Sequence, residues 1–188
     1  CPDGTTIIVR NLFYNTPARR KFLKTAATEA AYINDLAGRL ALSHPDVSFK
    51  FINNNQNRLH TSGNGNLRDI IYQIYGRDVA GQLLEADVQG KLCHVTGFIG
   101  KPILSRGNRT WENYFINGRY IKSNIITKAI EDAYKTFVMI HKYPFTAFHI
   151  EVDPALIDVN VHPRKMELRF NQNEAVYQEI YDIVRAVL

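Results

Sequence analysis

Hydrophobic positions along this chain switch repeatedly between a period of two and a period near 3.6, with no internal repeat. Residues 5–10 are β-branched and read as a strand. The run continues into Leu12-Phe13-Tyr14-Asn15-Thr16-Pro17, where Pro17, which has no N–H to lose, is suited to opening a helix. Thr28 and Glu29 read as the start of a second helix, with Ile33, Leu36, Ala37 and Leu40 on one face, and His44-Pro45 ends it. Val47, Phe49 and Phe51 alternate as a strand, Asn53-Asn54-Asn55 turns the chain, and residues 58–61 supply the partner strand. Ser62-Gly63-Asn64-Gly65 is the weakest point for structure, so the expected domain division is 1–62 and 63–188.

Beyond that point Leu67, Ile70, Ile71 and Ile74 mark a short helix that Gly76 can terminate. Strands are predicted over 83–88 and 92–99, followed by a polar stretch containing Arg106 and Arg109. A strand over 111–116 ends at Asn117-Gly118, a tight-turn dipeptide. Ser123 can cap a helix whose apolar stripe is Ile126, Ala129, Ile130, Ala133 and Phe137. Residues 145–152 form a strand with Phe148, Ile150 and Val152 facing one way. Short strands over 158–161 and 166–170 flank His162-Pro163-Arg164-Lys165, and a final helix carries Val176, Tyr177, Ile180, Val184 and Val187 on one side. The irregular alternation predicts an α+β fold, a mixed sheet packed with helices.

Composition narrows the function classes. With 188 residues, 45% of them hydrophobic, the chain can build a real core and is neither disordered nor fibrous. No apolar run reaches the ~18 residues of a membrane span, so no membrane role is expected. Cys1 and Cys93 make no disulfide framework, which points to a reducing, cytoplasmic setting. The chain begins at Cys1 rather than Met and enters a strand-like run at once, so it reads as a piece of a longer protein.

The net charge of +5 is segregated. Residues 1–24 carry Arg10, Arg19, Arg20, Lys21 and Lys24 against Asp3 alone. Residues 91–128 carry seven cations against Glu112 alone, and the rest of the chain is acidic. Two basic stretches suit a surface that meets a polyanion.

Self-contained catalytic chemistry is missing from the motifs. The six histidines show no zinc spacing, and no phosphate-binding glycine loop or nucleophile elbow occurs. The chain is therefore expected to carry no catalytic residue or metal site and to be no enzyme by itself. Three polar segments remain. Arg19, Arg20 and Lys21 sit at a helix start, where positive charge opposes the macrodipole, so a phosphate or nearby carboxylates should gain from them. Arg119, beside Tyr120 and Lys122 at a turn tip, could grip phosphate while the aromatic packs on sugar or base. Pro163 stiffens the loop that presents Lys165, a compact charge suited to one phosphate oxygen. At each of the three the alternative is an ordinary solvated surface.

Taken together, the segments 4–24, 115–119 and 158–170 closely resemble, in order, three motifs of the MutL family of DNA mismatch-repair proteins. That family joins a GHKL-type ATPase domain to a transducer domain of the ribosomal-protein-like βαβ type, also found in gyrase B. By this resemblance 1–62 is the C-terminal part of the ATPase domain and 63–188 the transducer. Gly4 and Thr5 would be the remnant of a nucleotide-site motif, and Lys165 would contact the γ-phosphate of ATP. The Asn-Gly-Arg motif implies DNA binding at Arg119, with Lys122, Arg106 and Arg109 in the same basic stretch. The resemblance further implies ATP and Mg for the intact protein, with no cofactor bound by this piece alone, and a homodimer. Its implied partners are DNA, a mismatch-recognition protein and a downstream repair nuclease or helicase. The absence of a long insertion between Pro102 and Thr110 suits a bacterial member, and the resemblance implies a nucleoid-associated, cytoplasmic one. Two other readings stay open here: a simple nucleic-acid-binding module, and a transducer of the gyrase B or GHKL heat-shock chaperone type, against which residues 13–24 argue.

Overall fold

A computed structural model describes residues 3–158 and 168–188. The chain begins with a one-turn helix α1 (Pro17–Arg20), a long helix α2 (Ala26–Ser43) and a hairpin of β1 (Lys50–Asn53) and β2 (Gln56–His60). Helices α3 (Leu67–Tyr75) and α4 (Arg77–Ala80) lead into strands β3 (Leu83–Gln89), β4 (Cys93–Gly100), β5 (Glu112–Ile116) and β6 (Arg119–Tyr120). Helix α5 (Asn124–Tyr134), strand β7 (Thr146–Val152), the pair β8 (Ile157–Asp158) and β9 (Arg169–Phe170), and helix α6 (Asn173–Val187) complete it.

The main sheet has five strands in the order β3-β4-β7-β5-β6. All pairings are antiparallel except β5 with β7, which run parallel and are joined through α5. Parallel neighbours require such a crossover, and this one supplies the single βαβ unit of the sheet. The α+β expectation, a mixed sheet packed with helices, is what the structure has.

Strand alternation sends side chains to two cores. On one face Val95, Tyr114, Phe148 and Ile150 pack with Ile126, Ile130, Ile180 and Val184 of α5 and α6. On the other, Phe98, Phe115, Phe145 and Ala147 pack with Leu42, Leu59, Ile70 and Ile71 of α2, β2 and α3. Gly97 lets the middle strands approach. Its φ is +120°, and a Cβ there would stand 2.1 Å from the Ala147 carbonyl oxygen.

Several local expectations need correction. Residues 5–10 form no strand: Ile7, Ile8 and Val9 are exposed, and no described residue pairs with them. Their β-branched composition is real, but a strand exists only where a neighbour takes its N–H and C=O groups. Helix α2 begins earlier than Thr28, because Thr25 is its cap and accepts the Thr28 N–H at 3.2 Å. The stripe of Ile33, Leu36 and Leu40 is largely exposed, since only the last turns of α2, through Ala41 and Leu42, reach the sheet. Phe137 lies past the end of α5, half-exposed, with the Arg185 guanidinium 4.9 Å from its ring centre.

Candidate nucleic-acid interface

The hairpin that carries Arg119 is held by its neighbour Asn117. All five residues of β5 are buried, and the chain then reverses through Asn117 (φ +48°) and Gly118 (φ +77°). The Asn117 backbone N–H donates to the Ile150 carbonyl at 3.0 Å. Its carboxamide donates to the Val152 carbonyl at 2.9 Å and accepts the Val152 N–H at 3.0 Å. The side chain thus continues the β5–β7 pairing past the end of the strand. Arg119 stands exposed beyond it, with no ion pair among the described residues. Tyr120 does not face out with it: the Arg39 guanidinium lies 4.6 Å from its ring centre, and Phe115 packs beside it. The ring expected to meet sugar or base is spent on the protein's own core.

Below the hairpin the chain enters α5. Ser123 caps the helix, and the buried Tyr114 hydroxyl accepts the Ser123 N–H at 2.8 Å and donates to its carbonyl at 3.0 Å. A cleft of about 640 Å³ opens here, lined in part by Arg109, Lys122, Lys128 and Glu131. Arg109 is paired within the protein. Its guanidinium makes a two-pronged contact with Glu131, Nε to Oε1 and, at 3.0 Å, Nη2 to Oε2, and sits 4.2 Å over the Tyr143 ring. The hydrogen bond to Glu131 holds Arg109 still more firmly cationic. The Arg106 guanidinium lies over Trp111, 3.5 Å from the ring centre, while its backbone pairs with Tyr143.

The structure therefore brings Arg109 and Lys122 to one cleft. Arg119 is not among the residues lining that cleft, although Tyr120 and Ile121, which follow it in the chain, are. Arg106 rests on aromatics outside that cleft lining. Arg19, Arg20 and Lys21 are exposed; α1 is a single turn of four residues opened by Pro17, so Arg19 and Arg20 lie in its first and its last turn alike, and Lys21 is its C-cap. Gly4 and Thr5 are exposed, with open space where a Gly4 Cβ would be. Lys165, with His162, Pro163 and Arg164, lies outside the described residues. The flanking residues are paired, Asp158 with Arg169 and Ile157 with Phe170. Among the described residues no group of three or more metal-ligating side chains occurs, and no helix is long and apolar enough to cross a membrane.

Sequence reasoning missed Glu112. The residue is only 7% exposed, and its Oε1 has no hydrogen-bond partner. Burial, then the nearby Glu131 charge, pushes its carboxyl up to about 8, against the opposing pull of Arg109. The signal was available, because Glu112 shares strand parity with Tyr114 and Ile116, both inward-facing.

The sequence matches, over residues 71–188, the family described as DNA mismatch repair protein, C-terminal domain. It is 62% identical over 187 residues to the DNA mismatch repair protein MutL of Agathobacter rectalis, covering 100% of this chain and 29% of that protein. It is 43% identical over 188 residues to MutL of Clostridium botulinum, covering 100% of this chain and 28% of that one. The chain thus spans less than a third of the length of these curated relatives. In fold it is similar to the N-terminal domain of a DNA repair protein, with a TM-score of 0.76 at 22% identity over 93% of this chain and 58% of the other. It is also similar to the Aquifex aeolicus MutL ATPase domain complexed with ADP, with a TM-score of 0.59 at 21% identity, covering 92% of this chain and 55% of the other.

Proposed function

The chain belongs to the DNA mismatch repair protein family, and from that premise we propose that it is the transducer portion of a MutL-type ATPase, preceded by the end of its ATPase domain. Residues 63–188 are the transducer in this reading and 1–62 the ATPase remnant. The intact protein takes ATP with Mg as substrate, dimerises, and passes the nucleotide state to DNA, a mismatch-recognition protein and a repair nuclease or helicase. The observation that carries the reading is that one similarity runs through the whole chain, at 62% identity to a MutL protein. The likeness in fold to MutL ATPase-domain structures supports it.

In mechanism, Lys165 contacts the γ-phosphate, a contact present with ATP and lost with ADP. A ligand shifts a conformational equilibrium only through such a difference in contacts. Gly4 and Thr5 belong to the nucleotide site only together with residues outside this chain. Arg119 meets nucleic-acid phosphate from a hairpin that Asn117 fastens to β7, so movement of the sheet moves the contact. Two variants of the intact protein test this. Lys165→Glu abolishes ATP turnover while leaving low-salt DNA binding largely intact, and normal turnover overturns the sensor role. Arg119→Glu weakens DNA binding and makes its salt dependence shallower, and unchanged affinity at low salt removes Arg119 from the interface.

A further inference from the structure

Between α5 and β7 the chain makes a turn that holds two apolar side chains out in solvent. Met139 is 80% exposed and Ile140 87% exposed, and neither belongs to either core. The turn is closed by the Lys142 N–H, which donates to the Met139 carbonyl at 3.1 Å, with His141 at φ +64°. Both of its ends are fastened. On the α5 side the Tyr134 carbonyl accepts the N–H groups of Phe137 and Val138, at 2.8 and 3.2 Å, and Val138 packs against the core. On the β7 side the backbones of Tyr143 and Arg106 exchange hydrogen bonds of 2.7 and 2.9 Å. A tip mounted in this way loses little chain entropy when something covers it.

The surroundings of the tip are basic. Lys135, His141 and Lys142 are exposed and line one hollow with Met139 and Ile140. The two acids of that hollow are already engaged: Glu131 is paired with Arg109, and Asp132 accepts the Tyr177 hydroxyl at 2.8 Å. A point that is apolar and flanked by cations complements a groove of duplex DNA, where phosphates line the rims and bases form the floor. Isoleucine and methionine are among the side chains that part base steps in this way. A protein partner fits less well. A stable protein interface buries on the order of 1,000 Å² or more, whereas the apolar surface here is two side chains in a charged surround. A base step needs no more than those two.

We propose that Met139 and Ile140 form a wedge that enters a groove of duplex DNA and parts a base step, with Lys135 and Lys142 on the flanking phosphates. The proposal rests on the reading of this chain as a DNA-engaging part of the protein, but it is independent of Arg119. It adds a contact of another kind, one that responds to how easily a step unstacks. Pyrimidine–purine steps unstack readily and A-tracts are stiff, so the wedge favours duplexes rich in TA steps.

The test uses the intact protein and a short duplex carrying the fluorescent base 2-aminopurine, whose emission rises when it loses its stacking partners. The unmodified protein is compared with Met139→Ser combined with Ile140→Ser, with Lys142→Ala and with Arg119→Glu, each confirmed as folded by thermal unfolding. Binding of the unmodified protein raises the emission, and affinity is higher for TA-rich duplex than for an A-tract. The double serine variant abolishes the rise and weakens binding about tenfold, the loss of buried apolar side chains. It leaves the slope of log affinity against log salt unchanged, because no phosphate contact is removed. Lys142→Ala instead makes that slope shallower by about 0.9. Binding without a rise in emission overturns the wedge, and an unchanged slope in Lys142→Ala overturns its placement in a groove. Equal rise and affinity in the double serine variant also overturn it and leave the turn to a protein partner. If Arg119→Glu weakens binding and the double serine variant does not, the DNA interface stands and the wedge alone falls. If the unmodified protein does not bind the duplex, both fall.

Discussion

Replacing Asn117 by alanine probes the joint between the candidate interface and the sheet. The change removes two hydrogen bonds, at 2.9 and 3.0 Å, that serve both backbone groups of Val152. Leaving a buried donor or acceptor unsatisfied costs about 1–3 kcal/mol each. Val152 is only 6% exposed, but Asn117 itself is exposed, so water can reach part of the vacated space and the lower half of that range applies. Alanine must also hold φ near +48°, a conformation asparagine tolerates and alanine resists by about 1 kcal/mol. The expected destabilisation is about 3–5 kcal/mol, read as a lowered urea midpoint at unchanged slope. Asn117→Gly relieves the backbone cost without restoring the bonds, and Asn117→Asp keeps the acceptor for the Val152 N–H but loses the donor. Both are expected to fall between alanine and the original residue. DNA affinity of the intact protein should fall with Asn117→Ala even at temperatures where the variant is fully folded, because Arg119 is no longer held. A change below about 0.5 kcal/mol would refute the view that Asn117 extends the β5–β7 pairing.

Two other elements give independent checks. Gly97→Ala sets a Cβ 2.1 Å from the Ala147 carbonyl in the middle of the sheet and is expected to prevent stable folding, seen as loss of a cooperative thermal transition. The Glu179 carboxylate of α6 accepts the backbone N–H groups of Lys91, Leu92 and Cys93 at the turn between β3 and β4. Burial pushes its carboxyl up, but those hydrogen bonds outweigh it and hold the group below its ordinary value. Its stabilising contribution is therefore complete above the ordinary range near 4.5 and is lost as pH falls through the lower, folded value. Glu179→Gln should cost about 1–3 kcal/mol at pH 7, with the difference from the unmodified protein shrinking in acid. A constant difference from pH 7 to pH 3 contradicts the assignment.

Much of the fold could be read locally because its determinants are local. Ser123 before the stripe of α5, Gly76 after α3, and Asn117-Gly118 after β5 each act within a few residues, and each stands where the sequence places it. Residues 5–10 defeated the same reasoning because strand formation depends on a partner, which composition does not reveal. The exposed stripe of α2 is a similar case: periodicity identifies an apolar face but not what lies against it.

The candidate site was legible as a set of cations, not as an arrangement. Arg109 is claimed by Glu131, which lies 22 residues away, and Arg106 by Trp111, so two of the cations marked for DNA are engaged within the protein. Glu112 attracted no notice as the lone acid in a basic stretch, although strand parity already turned it inward.

The central claim is that this part of the protein couples nucleotide state to DNA engagement. The direct measurement is the affinity of the intact protein for a DNA oligonucleotide, with and without a non-hydrolysable ATP analogue, in the unmodified protein and in Lys165→Glu. The account predicts a change in affinity on adding the analogue that disappears in Lys165→Glu, while affinity without nucleotide is the same in both. An equal response to the analogue in the two proteins would contradict it.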